Sequence, residues 1–264
     1  MGESVQPFLS LCMIIRDAEQ TIGALLKSVL SGQTAFTEIV LVDPGSNDNT
    51  HQIVTDALEK PLGQTLEHML TTPEGSLYRL HRRGHSDSIR IVRAHMKWPN
   101  DFAQARNHAF SLATGKWRMY LDADDVLEGG HNLEGWLRGV ERRQPNCNAI
   151  VLPYAYSHDT TQDTTRIFRW ADGWAWKDPI HEECVRSPPG HRGFAKCSEG
   201  ILVRHNVNDE RRLKSLKRNV TICEAALEKA NSEGDALLAG RMLYFLGSYR
   251  AFDGEGDVFD PKKA

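Results

Sequence analysis

The chain has 264 residues, of which 40% are hydrophobic and 25% are charged. That length allows one large domain, or a domain with a small appendage, and a full hydrophobic core. The 32 Lys and Arg residues are balanced by 35 Asp and Glu residues, and the net charge of −3 gives no general attraction to nucleic acid or anionic lipid. The apolar run 9–15 has no basic residue before it and is far shorter than the roughly 20 residues of a membrane span, so we expect no signal peptide and no membrane-spanning segment.

The cysteines favour a reducing compartment. There are 5 of them, an odd number, and none stands in a CxxC spacing. Neither a disulfide framework nor a cysteine zinc site is indicated, and we expect a cytoplasmic protein.

The first part of the chain predicts alternating strands and helices. Residues 9–15 and 38–42 are continuous apolar runs, which is typical of strands buried on both faces. Apolar residues with helical spacing predict a helix from about 19 to 30. A second helix follows the turn "DPGSNDNT", where Ser46 or Asp48 is expected to act as the cap. This alternation is the pattern of a parallel sheet with crossover helices.

The alternation is interrupted at 58–88, a stretch rich in Gly, Pro, Thr, His and Arg. We interpret it as a surface insertion with one short helix. A strand at 89–94, a helix at 103–113 and a strand at 117–121 then resume the pattern.

The second half predicts the edge of a mixed sheet and then a helical hairpin. Short apolar runs at 149–156, 166–170 and 201–204 are typical of strands separated by long loops. Two apolar helical stripes, 213–227 and 237–249, predict a pair of helices.

Three carboxylates follow the strand at 117–121: Asp122, Asp124 and Asp125. They are expected at the carboxyl edge of the sheet, where open α/β folds bind ligands. An EF-hand calcium loop is excluded because apolar residues occupy positions at which that loop needs an oxygen ligand, a glycine and a glutamate. A response-regulator aspartate is excluded because the chain is too long and its first strand carries no acidic pair. A Mg²⁺ or Mn²⁺ site shared with substrate phosphates and a solvated acidic turn both remain open.

Four further motifs accompany the "LDADD" segment: "EIVLVDPGSNDNT" with Asp43, "DFAQARNHA" with Arg106 and Asn107, "WKDPIHEECV", and "ILVRHNVND". In this order they resemble the family 2 type of GT-A nucleotide-sugar glycosyltransferase, whose members carry a "VDDGSxDxT"-like turn and an "LDADD" or "LDADE" strand end. The likeness is greatest to the branch with "ARN" before these acids, "HE" after them and a tetratricopeptide-like extension, which includes bacterial peptide S-glycosyltransferases. The resemblance covers about 9–227.

The resemblance implies an α/β fold of the GT-A (Rossmann-like) type, with a mixed sheet flanked by helices. We expect this nucleotide-sugar transferase domain over 1–208, with 58–88 as its insertion, and a C-terminal helical hairpin and tail over 209–264. Pro44 departs from the family pattern, because an acidic residue often stands there, and this weakens the expected nucleobase contact.

The resemblance also implies roles for the donor-side residues. Asp43 would bind the base or ribose, Asp122 the ribose or the metal, and Asp124 the Mn²⁺ or Mg²⁺ ion that bridges the diphosphate. Arg106 and Asn107 would reach Asp122, the sugar or the phosphates. The alternatives are a turn or helix-capping role for Asp43, a supporting or capping role for Asp125, and a buried salt bridge for Arg106.

On the acceptor side, the resemblance implies that Glu182 is the base of an inverting transfer and His181 a substrate or supporting contact. His205, at the end of a predicted strand, would complete the metal shell, and Trp176 would stack on sugar or acceptor. The alternatives are a surface acidic pair at 182–183, a histidine satisfied within the protein, and a tryptophan in the core.

The expected function is therefore sugar transfer from a nucleotide diphosphate sugar, a UDP-sugar in the first instance, to a protein, glycan or nucleic-acid acceptor. DNA is considered because "YRLHRRGHSDSIRIVR" would offer phosphate contacts. The rival hypothesis is a non-catalytic nucleotide-sugar or carbohydrate-binding module. The helical pair is expected to cap the catalytic domain or to pack in a homodimer.

Overall fold

The computed structural model describes residues 6–31, 34–60, 63–83, 87–157, 159–187, 193–197, 200–206 and 209–252. The chain forms two compact units. The first unit comprises Met1–Trp98, Ala105–Ala175 and Cys184–Asn206, and the second comprises Pro99–Gln104, Trp176–Glu183 and Val207–Ala264. The second unit thus joins the segments 99–104 and 176–183 to the C-terminal helices. The domain boundary expected at residue 208 stays a prediction.

The strands are β1 (Leu9–Ile14), β2 (Glu38–Asp43), β3 (Gln64–Thr72), β4 (Gly75–Arg82), β5 (Ser88–His95), β6 (Trp117–Tyr120), β7 (Asp125–Glu128), β8 (Cys147–Ala155), β9 (Thr161–Arg169), β10 (Trp174–Lys177), β11 (Glu183–Arg186), β12 (Gly193–Lys196) and β13 (Leu202–His205). The helices are α1 (Ile22–Leu30), α2 (Thr50–Glu59), α3 (Phe102–Leu112), α4 (Leu133–Arg143), α5 (Asp209–Glu233) and α6 (Ala236–Phe252).

One mixed sheet organises the first unit, in the order β3-β4-β5-β2-β1-β6-β9-β8-β13-β7, with β12 beside β8. Its centre, β5-β2-β1-β6, is parallel. Strands β9 and β7 are antiparallel to their neighbours. The connections between these four strands run through α1, α2 and α3, as the alternation in the sequence predicts. A parallel sheet covered by helices needs strands that are apolar on both faces, and β1 and β2 are buried along almost their whole length.

Helix α1 shows how the core is built. Its apolar residues recur every three to four positions, so they form one stripe, and that stripe is buried: Ile22, Leu25, Leu26, Val29 and Leu30. Each fully buried side chain of this size contributes about 1.5–3 kcal/mol relative to an exposed one. The packed core therefore holds the sheet in place, and the polar residues at the ends of its strands are positioned by that sheet.

A buried carboxylate, Glu38, joins the beginnings of several strands. It has no exposed surface and accepts hydrogen bonds from the Thr114 backbone N–H (2.7 Å), from Ser10 Oγ and from Arg90. A buried charge of this kind is tolerated only because it is paired and hydrogen-bonded. Glu38 therefore ties β1, β2 and β5 to the turn before β6.

The short helix expected within 58–88 is wrong for the described part of that stretch. Helix α2 ends at Glu59, and β3 and β4 then form an antiparallel hairpin that extends the sheet beyond β5. The stretch is polar because both faces of the edge hairpin are largely exposed. Among the leucines of β3 and β4, Leu80 is the one that is completely buried. Of the two predicted caps, Asp48 accepts a hydrogen bond from the backbone N–H of Thr50, the first residue of α2, at 3.0 Å. Asn49 directly precedes the helix, and Ser46 bonds to Asp43.

Helices α5 and α6 form the predicted hairpin of the second unit. Gly234 adopts the left-handed conformation (φ 73°) that ends α5, and the Asp235 side chain then accepts a hydrogen bond from the Leu238 backbone N–H at 3.0 Å. Within the described residues, no helix combines the length and the apolar character needed to cross a membrane.

Candidate functional site

Asp43 and the acidic cluster lie at the same edge of the sheet. Strand β2 ends at Asp43, β6 ends just before the cluster, and both run parallel to β1, which lies between them. Neighbouring strands are 4.7–4.9 Å apart, which places the ends of β2 and β6 roughly 10 Å from each other. From β1 the chain continues to β2 on one side, whereas β6 lies on the other. This is the kind of switch point at which open α/β sheets bind ligands.

Asp125 is the buried anchor of the cluster. It has no exposed surface, and its carboxylate accepts hydrogen bonds from Tyr154 Oη (2.9 Å), Arg166 Nη1 (3.2 Å) and the Asp122 backbone N–H (2.9 Å). With these partners Asp125 holds the turn in place, which agrees with the supporting role that the sequence left open.

Asp122 is held by two arginines. Arg106 Nη2 lies 2.7 Å from its Oδ1, and Arg166 Nη1 lies 3.6 Å from its Oδ2. Burial acts to raise the pKa of Asp122, but Arg106 and then Arg166 outweigh it and bring the pKa down to about 2. Asp122 is therefore ionised at any physiological pH, and the salt bridge expected for Arg106 is present.

Arg166 and two tyrosines form the floor of the cluster, and the sequence did not single them out. The Arg166 guanidinium lies over the rings of Tyr120 (4.4 Å) and Tyr154 (4.2 Å), while Arg106 lies over the Tyr120 ring at 4.7 Å. Burial acts to lower the pKa of Arg166, but Tyr120 and Asp125 more than compensate, so the pKa is raised. The only local signal is an arginine at the start of the predicted strand 166–170.

Asp124, Asp125 and His205 bring their ligating atoms within 4.8 Å of one another. His205 Nδ1 lies 3.8 Å from Asp124 Oδ1 and 3.6 Å from Asp125 Oδ1, both longer than a hydrogen bond. This nitrogen is buried and has no hydrogen-bond partner among the described residues. The Asp125 carboxylate, helped by Asp124, raises the pKa of His205, so the cluster favours positive charge here.

These residues fit a divalent cation. The Asp124 carboxylate and the unpartnered Nδ1 of His205 face each other at 3.8 Å. The Asn206 backbone N–H donates to the Asp124 carbonyl at 2.7 Å, which holds the two segments together. Carboxylate oxygens suit Mg²⁺ and Mn²⁺, whereas an imidazole is a poor Mg²⁺ ligand, so the set favours Mn²⁺. Asp122 is not among the three grouped residues, because its oxygens face the arginines.

Asp43 is also engaged by the protein. Only 2% of its surface is exposed. Its Oδ1 accepts hydrogen bonds from the backbone N–H groups of Gly45 (2.9 Å) and Ser46 (2.8 Å), and its Oδ2 lies 2.6 Å from His51 Nε2. Asp43 therefore has the turn-stabilising role that the sequence left open. A ligand bound beside Asp43 would contact a carboxylate that the protein already holds in one position.

His51 and His95 stand beside Asp43 and resemble a metal triad, but Arg93 argues against one. Arg93 Nη2 lies 3.4 Å from His51 Nδ1, and since a guanidinium only donates, Nδ1 must be the acceptor. A neutral ring then carries its proton on Nε2, which lies 2.6 Å from Asp43 Oδ2, although that oxygen has no hydrogen-bond partner in the described part of the chain. A nitrogen that carries a proton cannot bind a metal.

Trp176, His181 and Glu182 belong to the second unit. Trp176 is only 5% exposed, which favours packing over the substrate stacking predicted for it. His181 is exposed and Glu182 half-buried, and both lie on the loop between β10 and β11. Asn107 is half-buried on α3, one position after Arg106.

Three of the basic residues considered for DNA contact pair with other side chains of the protein. Arg90 pairs with Glu38, Arg93 Nη1 donates to Thr55 Oγ1 at 2.9 Å, and His81 lies 3.0 Å from a Glu67 carboxylate oxygen. These contacts engage part of the basic stretch that the sequence pattern indicated, while Arg79 is exposed.

The chain matches a family model for "Glycosyl transferase family 2" over residues 10–70 and 77–211. Among curated proteins, it is 29% identical over 181 residues to a TPR repeat-containing protein of Synechococcus elongatus, covering 66% of this chain and 34% of that protein. It is 25% identical over 185 residues to the SPbeta prophage-derived glycosyltransferase SunS of Bacillus subtilis, covering 69% of this chain and 36% of SunS. The chain thus spans about a third of the length of these relatives.

Solved structures of S. aureus TarS 1-349 share the fold. The complex with UDP matches with a TM-score of 0.52 and 14% identity, covering 93% of this chain and 72% of that one. The complex with UDP-GlcNAc matches with a TM-score of 0.51 and 12% identity, covering 83% of this chain and 66% of that one. The predicted fold class is confirmed. Because the family model matches well over half of the chain, the chain belongs to glycosyl transferase family 2.

Proposed function

We propose that this protein is a metal-dependent, inverting glycosyltransferase that moves a sugar from a nucleotide diphosphate sugar to an acceptor nucleophile. One observation carries the proposal: the Asp124 carboxylate lies close to the His205 imidazole, whose Nδ1 has no hydrogen-bond partner among the described residues. Beside them, two arginines keep the Asp122 carboxylate ionised. Family membership alone would not distinguish an active enzyme from a module that only binds the donor. The cation site supports donor binding, and the base proposed below supports transfer.

For the donor, we propose a UDP-sugar that lies along the sheet edge between Asp43 and Asp122. The roughly 10 Å between the ends of β2 and β6 suits the span of a nucleoside and its diphosphate. TarS, whose fold this chain shares, was solved with UDP and with UDP-GlcNAc, and that supports a uridine nucleotide. The base and ribose would face Asp43, and the diphosphate would face Asp124.

For the cation, Asp124 and His205 would hold Mn²⁺ or Mg²⁺ at the diphosphate. Bound there, the ion would neutralise charge on the leaving nucleotide diphosphate. Arg106 and Arg166 keep Asp122 ionised and fixed, which orients the acidic turn without reorganisation during the reaction.

For the acceptor, we propose that Glu182 takes the proton from the attacking hydroxyl or thiol as the new bond to the sugar forms and the bond to the diphosphate breaks. His181 would assist as a neighbouring contact. A protein or peptide, a glycan or a modified base of a nucleic acid is the candidate acceptor. The five cysteines all lie within the described residues and none forms a disulfide, which supports action in the reducing cytoplasm.

The test is calorimetric binding of UDP, GDP, TDP and their common sugar conjugates, with and without Mn²⁺, to the wild type and to Asp124→Ala. Glu59→Ala is the control, because that carboxylate is exposed at the end of α2. We expect metal-dependent binding of one nucleotide, lost in Asp124→Ala and kept in Glu59→Ala. Binding without any turnover of the sugar conjugate would favour the non-catalytic module, and no binding at all would refute the donor assignment.

A further inference from the structure

The loop that carries His181 and Glu182 has an unusual backbone. Asp178 and His181 both adopt left-handed conformations, with φ of 68° and 50°. Residues other than glycine rarely do so, because the Cβ atom crowds the backbone there. A loop with two such residues only three positions apart keeps its shape when surrounding contacts over-determine it.

Arg241 of α6 supplies such contacts at both ends of the loop. Its Nη1 lies 2.5 Å from Asp178 Oδ2, and its Nη2 lies 3.3 Å from Glu183 Oε1. Nη2 also donates a hydrogen bond to the His181 carbonyl at 3.2 Å. One guanidinium therefore holds both left-handed residues and the residue that follows Glu182.

Phe245 and Tyr249 hold the imidazole itself. The Phe245 ring is stacked on His181, with centroids 3.8 Å apart and planes inclined by 21°. Tyr249 Oη is hydrogen-bonded to His181 Nε2. Arg241, Phe245 and Tyr249 are spaced four residues apart, which places them along one face of α6.

We propose that this face of α6 fixes the conformation of the loop 178–183 and that Arg241, Phe245 and Tyr249 are positioning residues for the group-transfer step. The inference rests on the proposed function, in which Glu182 removes the acceptor proton. On this inference, the C-terminal helical hairpin contributes to catalysis by positioning the loop. The sequence indicated instead that the hairpin caps the catalytic domain or packs in a dimer.

The position of Glu182 explains why such support matters. Glu182 follows a left-handed residue and precedes Glu183, so the direction in which its side chain leaves the backbone is set by neighbours that α6 holds on both sides. A general base must lie within hydrogen-bonding reach of the proton that it removes, and a displacement of about 1 Å costs roughly 100-fold in rate.

The helix offers matched controls. Tyr244 and Leu237 are 69% and 78% exposed. Tyr244→Phe removes the same atom from the same residue type as Tyr249→Phe and keeps the edge-on contact between the Tyr244 and Phe245 rings. Leu237→Ala controls for truncation of an α6 side chain.

The experiment measures kcat and KM for donor turnover, with water or an acceptor, in Tyr249→Phe, Arg241→Ala and Arg241→Lys beside the two controls. Calorimetric donor affinity and thermal unfolding are recorded for each variant. We expect kcat to fall roughly tenfold in Tyr249→Phe and about 100-fold in Arg241→Ala, with donor affinity unchanged and partial recovery in Arg241→Lys. Equal kcat in Tyr249→Phe and Tyr244→Phe would overturn the assignment of Tyr249, and losses of kcat that only follow losses of stability would overturn the positioning role.

A second measurement separates this inference from the proposed function. Amide hydrogen exchange over 178–183 should be faster in Arg241→Ala than in the wild type and in Leu237→Ala. If the wild type turns over no nucleotide sugar, the proposed function fails while exchange still reports on the loop. If exchange in Arg241→Ala equals that in the wild type, α6 does not fix the loop, whatever the activity.

Discussion

The guanidinium of Arg166 lies 3.2 Å from the carboxylate of Asp125, and both side chains are withdrawn from solvent, with 4% and 0% exposed. Their strands, β9 and β7, are not neighbours in the sheet, so this ion pair joins distant parts of the chain beneath the acidic turn. The pair thereby sets the position of Asp122, whose backbone N–H donates to Asp125.

Replacing Arg166 with leucine should destabilise the protein by about 3–5 kcal/mol, because the charge of Asp125 would remain buried without its cationic partner, although Tyr154 and the Asp122 N–H still donate to it. The free energy of unfolding is measured by urea denaturation. Arg204→Ala is the control: Arg204 pairs with Glu128 at 2.8 Å on the surface, and such pairs are worth about 1 kcal/mol or less. Equal losses in the two variants would contradict a special role for the buried pair.

Zinc should not bind at Asp43, His51 and His95 in the wild type, because Arg93 keeps the proton of His51 on the nitrogen that faces Asp43. In Arg93→Ala that constraint is gone, and the ring is free to present an unprotonated Nε2. We therefore expect the zinc-dependent rise in Tm to be larger in Arg93→Ala than in the wild type.

The double variant Arg93→Ala/His51→Ala is the control, since it keeps Asp124 and His205 and removes only the triad. Its response to zinc should return to that of the wild type. If the variant His51→Ala, which keeps Arg93, binds zinc more weakly than the wild type does, the triad binds metal despite Arg93.

Protonation of His181 should make stability depend on pH. Loss of water around the ring lowers its pKa below the ordinary value of 6.5; Glu182 opposes this shift and Arg241 adds to it. Below pH 6.5 the unfolded chain thus binds more protons than the folded one, so the free energy of unfolding from this group falls as the pH drops from 6.5 to the folded pKa. Urea denaturation between pH 7 and 5 should give a shallower slope for His181→Asn than for the wild type, and identical slopes would contradict the shift.

The sequence predicted most of the fold because the central strands carry strong signals. Runs that are apolar on both faces, such as 9–15 and 38–42, match buried parallel strands, and the acidic cluster was placed at the correct edge by the rule that such strands end together. The hairpin β3-β4 was missed because an edge strand needs no apolar face, so its composition resembles that of a loop.

The support beneath the site could not be predicted in the same way. Tyr154 and Arg166 approach Asp125 through the pairing of β8 with β9 and β9 with β6, and no local pattern records such pairing. The spacing of Arg241, Phe245 and Tyr249 is visible in the sequence as one helix face, but the loop that this face holds is not. The roles assigned to Asp43, Asp124, Glu182 and His205 by resemblance stay predictions.

The ligand set predicts which cation the protein uses. Removal of divalent ions with EDTA should abolish donor binding, and Mn²⁺ should restore it at a lower concentration than Mg²⁺, because one of the facing ligands is the His205 imidazole. His205→Asp would complete an all-oxygen set and should narrow the difference between the two ions. Calorimetric titration of the donor at fixed Mn²⁺ or Mg²⁺ gives the comparison, with His131→Asp as the control because that histidine is exposed and outside the cluster. Equal half-saturating concentrations of the two ions in the wild type, or no change in His205→Asp, would remove His205 from the metal shell and leave Asp124 as the proposed ligand.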